Sequence, residues 1–213
     1  MLTVHAAPLV LPVGAAAVEQ GAVAVEGDRI VALGPYDEVA AAHPAARVRQ
    51  WPGVITPGLR QRQAAWLLTR CYHPDPREAD RLGAEPVTGE AFARLAGELD
   101  ASRWAGSVRR GLQQMLRYGT THVGGPFGDP AVRTALSRSG LVEVPAAPAA
   151  GAPDLDPFAA GRDLPGSVHT PLVVGARADL AVFDVPDEAA LVEAGAASCV
   201  VTVLAGRLVH RRR

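Results

Sequence analysis

Two periodicities divide this chain, and their order limits the folds open to it. Both ends are written in short apolar runs broken by turn residues, the pattern of β-strands. The middle repeats apolar residues every three or four positions, the pattern of helices. At the first end, Leu2–Ala6 reads as a strand. Ala22–Glu26 and Arg29–Leu33 flank Gly27-Asp28 and read as a hairpin closed by Gly34-Pro35. Tyr36–Ala42 reads as a short helix stopped by His43-Pro44, and Arg47–Trp51 and Val54–Thr56 as further strands. At the other end, Ala178–Phe183, Cys199–Leu204 and Arg207–His210 read as strands, with a short helix over Asp187–Glu193.

Between them the rhythm changes. Ala91–Leu99 and Ser102–Tyr118 read as helices, the second carrying Trp104, Val108, Leu112, Met115 and Leu116 along one face before a stop at Gly119. Thr120–Val123 reads as a strand, Pro130–Ser139 as a helix with proline at its start and Gly140 at its end, and Leu141–Val144 as another strand. Helix–strand–helix–strand is the order of parallel βα units. Pro145–Gly166 breaks that order with five prolines among Ala, Gly and Asp, and reads as a linker or surface loop.

Charge and cysteine content remove several function classes. The formal net charge is −1, with no broad basic field, so neither nucleic-acid nor membrane-surface binding is expected. All 21 basic residues are arginine, which excludes a Schiff-base or P-loop lysine within this sequence. Cys71 and Cys199 stand alone and far apart, giving neither a disulfide framework nor zinc-finger spacing. A reduced, cytoplasmic setting is the expectation. The first residues lack the pattern of a signal peptide, and no apolar run approaches the ~20 residues of a membrane span.

Three stretches resemble the amidohydrolase superfamily, in particular the branch of imidazolonepropionase and aminodeoxyfutalosine deaminase. The first is Gly21–Gly34 with Pro52–Leu59, the second Met115–Thr121, and the third Gly175–Asp184 with Val203–Val209. The resemblance implies an α+β and α/β chain. Residues 1–56 and 167–213 would form a composite β-sandwich, residues 57–144 a truncated (β/α) barrel remnant, and residues 145–166 a linker.

The resemblance also implies a metal site. In that family Pro-Gly-Leu leads into a strand ending in His-x-His, whose imidazoles face one way and bind zinc. Here Pro57-Gly58-Leu59 is followed by Arg60-Gln61-Arg62-Gln63-Ala64-Ala65, so the two ligand positions hold Gln63 and Ala65. Alanine has no donor, and a neutral amide is a poor zinc ligand. Later family ligands come from strands for which no counterpart is found, so no family catalytic residue is carried over and no cofactor is expected.

A rebuilt zinc site would draw on Cys71, His73 and His122, with Asp75 or Glu78 as oxygen ligand. Against it, His73-Pro74-Asp75-Pro76 reads as a turn, and a single Cys-x-His lacks repeated spacing. Asp179 matches a sandwich motif and suits a turn or strand start. The favoured reading is an amidohydrolase-like pseudoenzyme acting as a binding or assembly module, with a small-molecule ligand possible. The alternative is a divergent hydrolase or deaminase of non-peptide C–N bonds with a rebuilt or inter-subunit site. Three barrel strands cannot close, so their uncovered edge predicts association: a homodimer, or an accessory partner of another enzyme.

Overall fold

The computed structural model describes residues 2–146, 152–159 and 161–212. The first end of the chain forms β1 (Leu2–Val10), β2 (Val18–Glu26), β3 (Arg29–Pro35), α1 (Tyr36–Ala42), β4 (Arg47–Gln50), β5 (Val54–Pro57) and β6 (Leu59–Gln61). The middle contributes α2 (Ala64–Thr69), α3 (Ala79–Leu82), α4 (Gly89–Ala96), α5 (Ala101–Arg117), β7 (Thr120–Gly125), α6 (Pro130–Ser139) and β8 (Val142–Pro145). Then come α7 (Leu164–Ser167), β9 (Leu180–Phe183), α8 (Glu188–Ala194), β10 (Cys199–Leu204) and β11 (Arg207–Arg211). The chain divides into two compact units, residues 1–60, 116–121 and 156–213 in one and residues 61–115 and 122–155 in the other.

The first unit is built on one eight-stranded, mostly antiparallel sheet in the order β11-β10-β9-β5-β1-β2-β3, with β4 also pairing to β1. The two ends of the chain meet at β5 and β9, which run antiparallel with Val54 opposite Phe183 and Pro57 opposite Leu180. Alternate residues of a strand face opposite sides of a sheet. Leu180 and Val182 pack with Val23, Val25, Ile55 and Val203. Ala181 and Phe183 pack with Val54, Leu59, Phe158 and Leu191. Both faces of β9 are therefore buried, which is why Leu-Ala-Val-Phe is apolar throughout instead of alternating. On β2 the alternation separates Val23 and Val25 from Ala22 and Ala24, which pack with Val39 of α1.

β1 runs to Val10, four residues beyond the strand read from sequence, and Pro8 explains how. Its outer partner is β4 over Thr3–Ala6 and β5 over Leu9–Val10. Pro8 lies at the change of partner, where a missing N–H interrupts neither ladder. At the opposite end of the sheet, Asp179 joins the β9 start to the β10–β11 turn. Its Oδ1 accepts from the Ala205 backbone N–H at 2.8 Å, and Oδ2 lies 3.2 Å from Arg177. Burial pushes its carboxyl pKa upward against those two partners.

Pro57, Gly58 and Leu59 are locked into the same unit. The Gly58 N–H donates to the Asp179 carbonyl and the Leu59 N–H to the Gly119 carbonyl. A Cβ on Gly58 would collide with the Thr121 side chain, whose residue is fully buried. The glycine of this landmark is thus a packing requirement.

In the second unit β7 and β8 are parallel, with His122 opposite Val142 and Gly124 opposite Val144. The small sheet has the order β6-β7-β8. Asp129 starts α6 by accepting from the Ala131 and Val132 N–H groups, Pro130 follows it, and Gly140 ends the helix at φ 80°. Among the described residues no helix is long and apolar enough to cross a membrane.

The Pro-rich stretch is more ordered than a linker reading suggests. Leu155, Phe158 and Leu164 are buried, and α7 starts on an Asp163 cap. Residues 147–151 and 160 of that stretch lie outside the described residues.

Gly58→Ala is expected to destabilise the protein by about 2–4 kcal/mol, because the Thr121 side chain has no room to withdraw. Chemical denaturation measures it; a loss below about 0.5 kcal/mol would show that the contact relaxes freely.

Candidate functional site

The residues after Pro-Gly-Leu do not continue as a strand. β6 ends at Gln61, and Ala64-Ala65-Trp66-Leu67-Leu68 is instead the body of helix α2. Good helix formers explain the change: Ala and Leu supply four of these five positions. Gln63 and Ala65 therefore lie at the cap and first turn of a helix, and the strand alternation expected to aim them together is absent.

Both glutamines are buried, and their amides are bonded to backbone. Gln61 Nε2 donates to the carbonyls of Asp154 and Leu155 at 2.9 and 3.0 Å, and its Oε1 accepts from the Gln63 N–H at 2.9 Å. Gln63 Nε2 donates to the Ala152 carbonyl at 3.0 Å, while its Oε1 accepts from the Asp154 N–H at 3.0 Å. An amide offers donors and acceptor together, so it can replace the backbone partners a Pro-rich segment lacks. Gln63, at one of the two positions where the family resemblance calls for an imidazole, is a clasp on residues 152 and 154, and Gln61 adds a second clasp on residues 154 and 155.

Cys71 and His73 follow α2, and both are buried. Burial pushes the Cys71 thiol up to about 11, so it is neutral at physiological pH. The His73 ring contacts the Leu67 carbonyl through Nε2 at 2.8 Å and the Gln114 side-chain amide through Nδ1 at 2.7 Å. Burial lowers its pKa, against those two hydrogen bonds. Both ring nitrogens are engaged, Nε2 with the Leu67 carbonyl and Nδ1 with Gln114 Oε1, which leaves no nitrogen for a cation. The ring fits because position 111 has no side chain: a Cβ there would lie 2.7 Å from Nε2.

The turn at residues 72–78 is held by a charged network. Tyr72 donates its hydroxyl to Glu78 Oε2 at 2.6 Å, the Asp75 N–H donates to the same oxygen at 2.9 Å, and Arg103 reaches Oε1 at 2.7 Å. Arg110 donates to the His73 carbonyl and pairs with Asp75. The guanidinium groups of Arg103 and Arg110 lie 5.7 and 5.9 Å from the buried Tyr72 ring. Burial raises the Glu78 pKa, but the hydrogen bonds from Tyr72, Asp75 and Arg103 win and hold the carboxyl down to about 2. Asp75 and Glu78 are engaged in this network.

His122 is buried on β7, opposite Val142. Among the described residues, no group of three or more His, Cys, Asp or Glu side chains lies close enough to hold a metal ion. The structure therefore does not assemble Cys71, His73 and His122 with an acidic neighbour into a zinc site, and the donor set does not fit the metal.

What the fold does form is a cleft of about 370 Å³ beyond Gly124 and Gly125, which end β7, and beside Ala146, which follows β8. Its other walls include Arg62, Gln63, Trp66, Thr69 and Arg70. The carboxyl ends of parallel strands are where α/β folds place ligands. Trp66 lies within α2 and Arg70 at its C-terminal end, four residues on, while Arg62 lies in the turn before the Gln63 cap. Arg70 lies 5.9 Å from the Trp66 ring centre. Neither arginine nor the tryptophan stood out in the sequence, where only Gln63 and Ala65 of this stretch were weighed as family ligand positions.

Residues 21–46 match the family model of the bacterial imidazolonepropionase-like composite domain, overlapping the first stretch of the sequence resemblance. No curated protein matches the chain. Among solved structures, Aspergillus niger ochratoxinase is similar at 16% identity and a TM-score of 0.45, over 68% of this chain and 30% of that one. An adenosine deaminase from Xanthomonas campestris with bound zinc matches at 20% identity and 0.45, over 67% and 33%. Helicobacter pylori aminofutalosine deaminase in complex with methylthio-coformycin matches at 16% identity and 0.47, over 66% and 34%. The chain thus spans about a third of the length of these structures.

The Glu78 network yields a pH-dependent stability. The folded carboxyl titrates at about 2 against an ordinary 4.5, so its contribution is complete above pH ~4.5 and is lost as pH falls toward 2. Denaturation at pH 5 and pH 3 is expected to show a smaller fall for Glu78→Gln than for the unmodified protein, by about 1–2 kcal/mol. Identical falls would mean that Glu78 is not held in its charged form.

Proposed function

We propose that this chain is a non-catalytic amidohydrolase-like protein that acts as a binding or assembly module. The eight-stranded sheet joining both chain ends corresponds on this reading to the composite sandwich, and the β6-β7-β8 sheet with its helices to a truncated barrel. The observation that carries the reading is the use made of Gln61 and Gln63. Their amides bind the backbone of residues 152–155, and Gln63 does so at a position where the family chemistry needs a metal ligand. Ala65 supplies no donor, Cys71 is a neutral thiol, and His73 has both ring nitrogens engaged. A hydroxide-generating zinc site requires three protein ligands and an open position.

The cleft beyond β7 is the small-molecule site of this reading, and a homodimer or a larger enzyme is the partner class. β8 ends the small sheet among the described residues, so association would extend or cover that edge.

Protein purified from zinc-supplemented medium is expected to contain well under 0.1 equivalent of zinc, measured by plasma mass spectrometry, and to show no zinc-dependent hydrolysis of formimidoyl or aminopurine substrates. Stoichiometric zinc that disappears in His73→Ala or His122→Ala would instead establish a rebuilt hydrolase site.

A further inference from the structure

We infer that His5 and Trp51 form an acid-operated latch, which frees Trp51 and strand β4 from the sheet when the imidazole takes a proton. Every residue of the device belongs to the first unit.

Geometry fixes the protonation state. The Trp51 indole Nε1 lies 3.0 Å from His5 Nδ1, and the two ring planes are inclined by 20°. An indole nitrogen can only donate, so Nδ1 carries a lone pair and the imidazole proton sits on Nε2. An imidazolium donates from both nitrogens. It would set one N–H against another and lose the bond. A proton on His5 Nδ1 and the Trp51 contact therefore exclude each other.

The surroundings favour the neutral ring. His5 is 3% exposed, with Val23 opposite it on β2 and Arg49 opposite it on β4. The Arg49 Nε is buried and, among the described residues, has no hydrogen-bond partner. From β11 the Arg211 guanidinium lies 5.6 Å from the Trp51 ring centre. Arg212 and the exposed Asp184 are the other charged groups of the cleft beside Trp51. An imidazolium would thus add a third cation beside two guanidinium groups, away from water. Burial first, and the Arg49 charge second, hold the imidazole pKa down to about 4. Its ordinary value is 6.5, so the stability gained from the neutral ring is complete above pH ~6.5 and is lost as pH falls toward 4.

The moving part is β4. Its strand partner is β1, over Thr3–Ala6, and Arg47, Val48 and Gln50 are exposed. Trp51 anchors its far end. The Trp51 backbone N–H donates to the Ala6 carbonyl at 2.9 Å, and the side chain packs on the core that holds Ala7 and Val10. Without that anchor, a four-residue strand keeps one short ladder, the kind of element that opens locally before the rest of a sheet.

Trp51 is one of three tryptophans, and Trp51→Phe identifies its indole N–H in a proton–nitrogen correlation spectrum of the full chain. On acidification that signal is expected to move toward the position of a water-exposed indole, with a midpoint between about 4 and 6.5, while far-UV circular dichroism stays constant. Amide protection factors across β4 are expected to fall about tenfold or more over the same range. His5→Gln supplies an acceptor oxygen that does not titrate, and is expected to hold the indole signal fixed down to pH ~4. Arg49→Gln removes the neighbouring cation and is expected to raise the midpoint by about half a pH unit. An indole signal that stays put to pH ~4 in the unmodified protein, or that titrates equally in His5→Gln, would overturn the latch. Movement of the indole with β4 fully protected would overturn release of the strand. Where His5→Gln does not fold, Arg49→Gln decides: an unmoved midpoint would overturn His5 as the titrating group.

Discussion

The pairing of β5 with β9 is the contact on which the larger unit depends. It joins Val54–Pro57 to Leu180–Phe183, so strands from opposite ends of the sequence become neighbours in one sheet. Removing it would leave β1–β5 and β9–β11 as separate pieces, each with an exposed apolar edge. The chain leaves this sheet just beyond it. Pro57 is the last residue of β5, and Gly58 and Leu59 are hydrogen-bonded to Asp179 and Gly119.

From that entry the chain departs from the chemistry its landmark implies. A metalloenzyme would spend the next residues on imidazole ligands. This chain spends them on two carboxamides that grip a proline-rich segment. Amides of this kind satisfy backbone groups of the segment, at the buried Leu155 and at the more exposed Ala152 and Asp154. The same stretch turns helical at Ala64, which moves Trp66 and Arg70 onto a cleft wall.

Much of the sheet was legible in the sequence because strands, turns and glycines report local geometry. Tyr36–Ala42 and Pro130–Ser139 fall on α1 and α6 as read, and the hairpin at Gly27-Asp28 extends only outward, to Val18 and Pro35. β1 was cut short because a proline inside a strand reads as its end, while the change of partner that tolerates Pro8 is a tertiary fact. Helix α2 was missed because the Pro-Gly-Leu landmark led to the expectation of a strand, which outweighed the helix propensity of Ala64–Leu68. For the site, the sequence showed that Ala65 has no donor atom, but not that Gln61 and Gln63 were engaged elsewhere. Their partners lie 89 to 94 residues away.

The order in which the two halves of the sheet emerge has a consequence during synthesis. β5 leaves the ribosome long before its partner, since Val54 must wait for Phe183. At about 5–20 residues per second that interval is roughly 6–25 s, during which a largely apolar edge has no neighbour. Newly made chains therefore pass through a sticky stage that the finished protein does not have. Slow translation, or truncation before Leu180, should send this protein toward chaperones or aggregates.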